Sequence, residues 1–450
     1  MALRCLLTSV NAVRVPYPVY PLGMAHIGGA LNNHGHIVKQ LDLQAAGSEY
    51  LAALAASIKE LQPELIGISI RNLDLEDSST PCSFIGEVEP IIRFIRQHSK
   101  ATVVLGGPAF SLLPKKILSL LGADYGIVGE GEEAIVRLAE ALEAGKPPAE
   151  RLLFSQPSDN PWQAVGYDQA IAPYYISHGG MLNVQTKRGC PFSCNYCSYP
   201  LLEGRKIRKR DPGDVADEVL RLRDEFKAGY IFFTDSVFND SGGHYLEVCE
   251  ALIRRGNTLP WMAYFRPSGI DDEAMALMKR AGLDAMEIGT DAGCDECLAS
   301  LGKNFTFDEA VELNDLAAHH KIPCAHFLMF GGPGETRATL ERSLKNIERL
   351  RPAVVFAFNG IRILPDTGLQ KLAIEQGIIA PDDDLLEPRF YFSPEITAQE
   401  IDLRLKEAWH DQADRQYPSR EMEDRIAQFH AKGYPGPIWD KIIRMGIGRK

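Results

Sequence analysis

Along the first third of the chain, short apolar runs alternate with amphipathic stretches of helical period. Residues 5–7, 37–43, 65–70, 102–105 and 125–128 read as strands. Residues 21–33, 50–61, 91–95 and a run from Glu133 read as helices. The run Leu65-Ile66-Gly67-Ile68-Ser69-Ile70 is apolar on both alternating sets, as a parallel strand covered on both faces requires. This alternation predicts a doubly wound α/β domain over residues 1–145. Residues 146–180 carry Pro147, Pro148, Pro157, Pro161 and Pro173 among Ser, Asp and Asn, the composition of a surface linker. At its end, His178-Gly179-Gly180 is expected near the active face.

A second series follows. Strands are expected at 181–187, 230–235, 261–265, 285–290, 324–330 and 354–363, with helices at 215–226, 245–254, 272–281, 307–319 and 340–350. Six such units over 181–380 make a partial barrel, with chemistry in the loops after the strands. Residues 381–450 read as an acidic loop and two helices, 398–413 and 419–431, that cap the barrel. Arg389 and Tyr391 lie there and read as core residues before substrate contacts.

In the first domain glycines stand where strands give way to helices: Gly23, Gly67, Gly106, Gly107, Gly129 and Gly131. That rim is the crevice in which such sheets bind ligands, and bare backbone admits a ligand closely. Three cysteines form the other outstanding feature. Cys190, Cys194 and Cys197 are spaced C-x3-C-x2-C in a loop, Arg188-Gly189-Cys190-Pro191-Phe192-Ser193-Cys194-Asn195-Tyr196-Cys197. No His and no fourth Cys stands at ligand spacing; Cys249 is far off in an expected helix. A zinc knuckle wants four N or S ligands. Three thiolates suit an iron–sulfur cluster with one iron left open.

That spacing, with an aromatic residue before the last Cys, resembles the radical S-adenosylmethionine (SAM) superfamily. The resemblance implies that Cys190, Cys194 and Cys197 hold a [4Fe-4S] cluster whose open iron is chelated by SAM, which an electron then splits into methionine and a deoxyadenosyl radical. It places Tyr196 by the adenine. It places Asp291, in Ile288-Gly289-Thr290-Asp291, at the ribose, and Gly332 and Gly334, in Phe330-Gly331-Gly332-Pro333-Gly334-Glu335-Thr336, beside adenine. Ile363-Leu364-Pro365-Asp366-Thr367-Gly368 resembles the sixth-strand end, with Asp366 departing from the usual Gly. Thr234-Asp235-Ser236 stands where some members grip the methionine amine, which makes Asp235 a candidate. Arg266 can pair with the methionine carboxylate, as a guanidinium suits a carboxylate; its alternative is a surface ion pair.

The first third resembles the cobalamin-binding domain that precedes the barrel in one radical SAM class. Pro21-Leu22-Gly23, Gly35-His36, Asp42-Leu43, Gly67-Ile68-Ser69, Gly106-Gly107-Pro108 and Gly129-Glu130-Gly131-Glu132 carry the match. Leu22, Gly23, Arg71, Asp74, Gly106, Gly107, Gly129 and Glu130 then line a crevice for cobalamin or substrate. The Asp-x-His-x-x-Gly motif that supplies a lower cobalt ligand is absent, since Asp42 is followed by Leu43 and Gln44. Arg71 and Asp74 are polar for a corrin-facing position.

The implied fold is a cobalamin-binding-like doubly wound domain, a partial (β/α)6 radical SAM barrel and a small helical C-terminal region. The implied activity is cobalamin-dependent methylation of an unactivated carbon. Two alternatives stay open. One is a cobalamin-free radical dehydration or rearrangement of a polyol or aminosugar clamped by Arg71 and Asp74, with Tyr199, Glu203 and Glu130 moving protons. The other is a non-enzymatic corrinoid or electron carrier.

Composition narrows the partners. The chain has 450 residues, 45% hydrophobic and 24% charged, with net charge −12. That argues against nucleic acid, whose binding draws on clustered Lys and Arg. The basic run Arg205-Lys206-Ile207-Arg208-Lys209-Arg210 reads as a solvated face, or as a docking patch for an anionic substrate or for an acidic electron donor such as flavodoxin or ferredoxin. No apolar run approaches membrane-spanning length and the N-terminus does not read as a signal peptide. Nine cysteines without a disulfide-like framework point to a reducing cytoplasm. Cys294 and Cys297, with Cys324, are candidates for a second cluster or redox couple, against plain burial. His26, His34 and His36 read as structural hydrogen-bonding residues.

Overall fold

The computed structural model describes residues 2–14, 16–155, 162, 164–418 and 420–446. Pro157 and Pro161 of the expected linker, and Ser419 at the expected start of the last helix, lie outside the described residues. Six strands, β1 (Arg4–Ser9), β2 (Ile37–Asp42), β3 (Leu65–Ser69), β4 (Thr102–Gly106), β5 (Tyr125–Val128) and β6 (Leu152–Phe154), form one sheet in the order β2-β1-β3-β4-β5-β6. Every pairing is parallel. The chain leaves β1 in one direction to make β2 and returns on the other side for β3. The sheet's switch point therefore lies between β1 and β3, and the ligand crevice beyond it.

β6 was not expected: three residues amid prolines complete the first sheet from inside the segment read as linker. The same segment holds a helix, Ala172–Gly179. It brings His178-Gly179-Gly180 to the start of the barrel's first strand, away from the active face. There a Cβ on Gly180 would lie 2.8 Å from the His430 ring, and Gly436 N–H donates to the Gly180 carbonyl.

The second sheet runs β7 (Leu182–Val184), β8 (Ile231–Phe233), β9 (Trp261–Phe265), β10 (Leu283–Asp291), β11 (Cys324–Phe330) and β12 (Val354–Asn359), paired in sequence and parallel. A seventh strand, β13 (Arg415–Gln416), comes from the tail and pairs parallel with β12. Residues 361–362, expected to continue β12, instead pair antiparallel with Phe390–Tyr391. Helix ends follow local chemistry. Thr306 and Glu309 form a capping box that opens the helix Phe307–His319 where the sequence places it.

Alternate residues of the second sheet point outward to its helices or inward. Phe232, Met262, Ala285, Ala325, Val354 and Phe356 form an apolar inner face, joined there by Tyr17 and Trp439. Glu287 of β10 sits on that face, where Tyr17 O–H (2.9 Å) and Trp439 Nε1–H (3.2 Å) donate to it and burial pushes its carboxyl up to about 7. The loop after β1 and the C-terminal tail thus meet inside the barrel. Buried ion pairs tie the two units: Arg188 with Glu132 (2.6 Å), Arg208 with Glu130, and Arg362 with Asp74 (2.7 Å). Among the described residues, no helix is long and apolar enough to cross a membrane.

Candidate active site

The cysteine loop leaves a short antiparallel pairing of Lys187–Arg188 with Arg208–Lys209. Its start is a sharp turn. Gly189 has φ +97°, and a Cβ there would lie 2.2 Å from the Lys206 carbonyl, so only glycine fits. Cys190 N–H donates to the Gly204 carbonyl at 3.0 Å. Asn195 is pinned from two sides. Its N–H donates to the Leu301 carbonyl (3.0 Å) and its side chain to the Ser300 carbonyl (2.7 Å), while its own carbonyl accepts from Leu369 N–H (2.8 Å). The segments after β10 and β12 therefore clamp the loop.

All three thiols are free. Burial pushes Cys190 up, and Cys197 up to about 12. A zinc ion binds sulfur at about 2.3 Å, which sets tetrahedral sulfurs about 3.8 Å apart. Among the described residues the one group of three ligand atoms within 4.8 Å of one another is Asp272, His319 and His320; the three cysteines are not such a group. Three thiolates without a fourth protein ligand suit an iron–sulfur cluster better than a four-coordinate structural ion.

Tyr196, Asp291 and Lys303 form a knot beside this loop. Tyr196 O–H donates to Asp291 at 2.7 Å; Lys303 donates to the Tyr196 oxygen at 3.0 Å and pairs with Asp291. Asp291 ends β10 with φ +65°, which turns its carboxylate toward the loop. A carboxylate accepts about four hydrogen bonds, so Asp291 keeps capacity for a diol. Lys303 was missed from sequence, and no spacing marks it. Arg266 lies with its guanidinium carbon 4.1 Å from the Phe192 ring centroid, donates to the Asn304 carbonyl (3.1 Å), and stands beside Cys190 and Cys194. It makes no salt bridge among the described residues, so the surface-ion-pair alternative fails.

Gly332 and Gly334 form the turn after β11. A Cβ on Gly334 would lie 2.8 Å from Ser300 Oγ, which packs this turn against the segment that holds the cysteine loop. Burial pushes the neighbouring Glu335 up to about 7. Asp235 requires a correction. Its buried carboxylate accepts from Thr186 N–H (2.7 Å), the Thr186 hydroxyl and Lys187 Nζ (3.0 Å). It braces the barrel's first turn and is committed away from a methionine amine.

Between the two units lies a cavity of about 420 Å³. Leu22, Gly23, Arg71, Gly106, Gly107, Gly129 and Glu130 line it from the first domain, and Ser198, Tyr199, Leu202 and Glu203 from the stretch just after Cys197. Two of its glycines answer no need of the fold. A Cβ on Gly23 would meet nothing within 4 Å, and one on Gly106 only the Ile127 carbonyl at 3.9 Å; neither has positive φ. Their bare backbone keeps space for an occupant. Gly107 is different: with φ +100°, a Cβ would lie 2.5 Å from the Ile70 carbonyl, so the turn itself demands glycine.

Other expected residues are placed differently. Asp74 does not line the cavity; it is buried against Arg362 and accepts from Glu76 N–H. A polyol clamp of Arg71 with Asp74 therefore loses its carboxylate. Glu130 borders the cavity but is held by Arg208 and Arg188. The basic run is not one solvated face: Arg208 and Arg210 are buried against Glu130 and Glu218, while Arg205, Lys206 and Lys209 face out. Glu203 accepts from Gly189 N–H (3.1 Å) and the Gln185 amide (3.0 Å), and burial pushes its carboxyl up. Tyr199 is 41% exposed at the cavity.

Cys294, Cys297 and Cys324 are buried, and among the described residues they form no group of three ligand atoms. His34 and His36 bond to backbone, at Ala30 O and Leu3 N–H. His26 lines the cavity instead.

Comparison with known proteins agrees with this geometry. Residues 184–347 match the family model of the radical SAM superfamily, and residues 8–139 that of the B12 binding domain. The chain thus carries a radical SAM domain preceded by a B12 binding domain. It is 26% identical over 445 residues (82% of this chain, 74% of the relative) to tryptophan 2-C-methyltransferase of Streptomyces laurentii. It is 24% identical over 450 residues (82% and 81%) to cytidylyl-2-hydroxyethylphosphonate methyltransferase of Streptomyces wedmorensis. In fold it is similar to the radical SAM methyltransferase TsrM of Kitasatospora setae, solved with cobalamin and a [4Fe-4S] cluster: TM-score 0.83, 22% identity, 96% of this chain and 100% of that one. The cobalamin-dependent enzyme OxsB superposes at TM-score 0.72 with 14% identity, over 96% and 72%.

Proposed function

We propose that the protein is an enzyme that methylates an unactivated carbon of a small molecule. The observation that carries this reading is that the glycine-lined crevice and the stretch that directly follows the cysteine loop, Ser198 to Glu203, line one shared cavity. Bound there, a [4Fe-4S] cluster with SAM supplies a carbon radical, and cobalamin a methyl group.

The chain's residues fall into roles around these groups. Cys190, Cys194 and Cys197 hold the cluster. Tyr196, Asp291 and Lys303 orient the nucleoside, and Arg266 its carboxylate. Gly23 and Gly106 leave room for the corrinoid. Tyr199 and Glu203 border the substrate's space, and Glu203, its carboxyl raised by burial, can hold a proton. The buried pairs Arg188–Glu132, Arg208–Glu130 and Arg362–Asp74 keep the two domains shut against water, which a radical requires. The domain limits we propose are 1–145, 181–380 and 381–450, with β6 contributed to the first domain by the intervening segment.

The test is anaerobic incubation of the reconstituted protein with SAM labelled in its methyl group, dithionite and hydroxocobalamin, over a panel that begins with tryptophan. Deoxyadenosine and label on a product carbon are expected. No deoxyadenosine, with or without the panel, overturns the reading.

The crevice has its own test. In Gly23→Leu the new side chain starts in open space on a helix. Thermal stability should hold or rise by up to about 1 kcal/mol, the helix-propensity gain over glycine. Hydroxocobalamin retained after desalting, read by visible absorption, should drop to background.

The electron donor is proposed to be flavodoxin or ferredoxin in a reducing cytoplasm, where an oxygen-labile cluster and nine cysteines are kept. The exposed Lys206 and Lys209 beside the cysteine loop offer an acidic carrier a landing site on an otherwise acidic protein. Lys206→Glu with Lys209→Glu should slow flavodoxin-driven turnover about tenfold at low salt, less at high salt. Dithionite-driven turnover should be unchanged.

A further inference from the structure

Two histidines and a carboxylate meet on the helices that cover the second sheet, and none of the three lines the cavity. Asp272 opens the helix Asp272–Arg280; His319 ends the helix Phe307–His319, and His320 follows it. One ligand atom from each residue lies within 4.8 Å of the other two. His320 Nε2 stands 2.7 Å from Asp272 Oδ1, and the two imidazoles meet edge to face with centroids 5.3 Å apart.

The fold does not need this meeting. Asp271, not Asp272, caps its helix, accepting from Ala274 N–H. An ion pair of Asp272 with His320 accounts for two of the three groups and gives no reason for His319 to point at the same spot. Among the described residues the His319 ring makes no hydrogen bond or ion pair of its own. The spot also lies at the carboxyl end of a 13-residue helix, where the backbone dipole favours a cation. Imidazole nitrogen suits first-row transition ions, whereas calcium and magnesium prefer oxygen. Two imidazoles and a carboxylate supply three ligands, and water completes the shell. We propose that Asp272, His319 and His320 bind one divalent first-row transition ion, which clips together the helices on either side of β10 in the chain. β10 ends in Asp291, so the clip braces the strand that presents that carboxylate. Lys279 donates to the His320 carbonyl, and its charge keeps the ion weakly held. The site is independent of the cavity and of the cysteine loop.

Nickel is the probe. It is titrated calorimetrically into the full-length protein already reconstituted with iron and sulfide, and into its variants prepared in the same way. His319→Gln, His320→Gln and Asp272→Asn should each weaken the saturable binding at least about tenfold, as loss of one ligand in three requires. Nickel should raise the thermal midpoint of the wild type and leave those three variants unmoved, because an ion bound to the folded state alone stabilises it. Before nickel is added, His319→Gln should melt with the wild type, since its ring holds nothing else. His410→Gln removes an exposed histidine paired with Asp411, 2.9 Å away, and should change neither readout. Absence of saturable binding up to about 1 mM nickel, or binding that His319→Gln leaves intact, overturns the proposal. So does equal loss in His410→Gln. Should His319→Gln not fold, Asp272→Asn decides, because that side chain is 70% exposed.

Discussion

Replacing any one of Cys190, Cys194 and Cys197 with serine is expected to remove the cluster and bring deoxyadenosine formation to background. On the proposed reading each sulfur supplies one corner of the cluster, and no other cysteine lies within the loop. Loss of one thiolate leaves two protein ligands for a group that needs three. The measurement is iron and sulfide content after anaerobic reconstitution, with the visible absorption of the cluster. Cys249→Ser is the control, because that thiol is fully buried in the helix His244–Arg254 and takes no part in the loop. Serine at Cys190 that left iron, sulfide and deoxyadenosine intact would sink the assignment of the loop. Equal loss on replacing Cys249 would point to a general folding defect and remove the loop's special standing.

The parts of this molecule legible in its sequence are those that physics writes locally. β3 is apolar on both alternating sets, the pattern of a parallel strand covered on both faces. The helices Tyr50–Leu61 and Phe307–His319 begin and end where the sequence places them, because caps and period act within one or two turns. The three cysteines stand out in the sequence because their spacing within one short loop restricts their chemistry. What escaped is long-range. β13 is Arg415–Gln416, two charged or polar residues with no strand signature, placed by the β12 edge it meets. β6 is three residues hidden among prolines. Lys303 is one lysine among many until the fold sets it against Asp291. Asp235 and Asp74 were given ligands because a carboxylate at a strand end invites one. The fold instead supplies Lys187 and Arg362, at separations no period encodes.

The second large effect concerns those distant pairs. Arg188 is the last residue but one before Cys190, yet its guanidinium belongs to the other domain. It donates to Glu132 at 2.6 Å, lies 3.4 Å from Glu130, and stacks on Trp162, 5.0 Å from ring centroid to guanidinium carbon. Burial alone would push the Glu132 carboxyl up; the Arg188 guanidinium holds it below the ordinary value. In Arg188→Met that compensation vanishes and a buried carboxylate is left unpaired, at a cost of about 3–5 kcal/mol.

The pH dependence fixes the mechanism. In the wild type the depressed Glu132 contributes stability above its unfolded pKa, and loses it as pH falls through the folded one. In the variant Glu132 is raised, so the penalty is full at neutral pH and shrinks as acid protonates it. The gap in thermal midpoint between wild type and Arg188→Met should therefore narrow from about pH 8 to about pH 5, near the range where a buried carboxyl titrates. Arg188→Met with Glu132→Leu should recover most of the loss, because an apolar pair of similar volume replaces a buried ion pair at little cost. A gap independent of pH, or a double variant no better than the single, would mean that Arg188 acts through packing on Trp162. The link between crevice and cysteine loop would then be steric and not ionic.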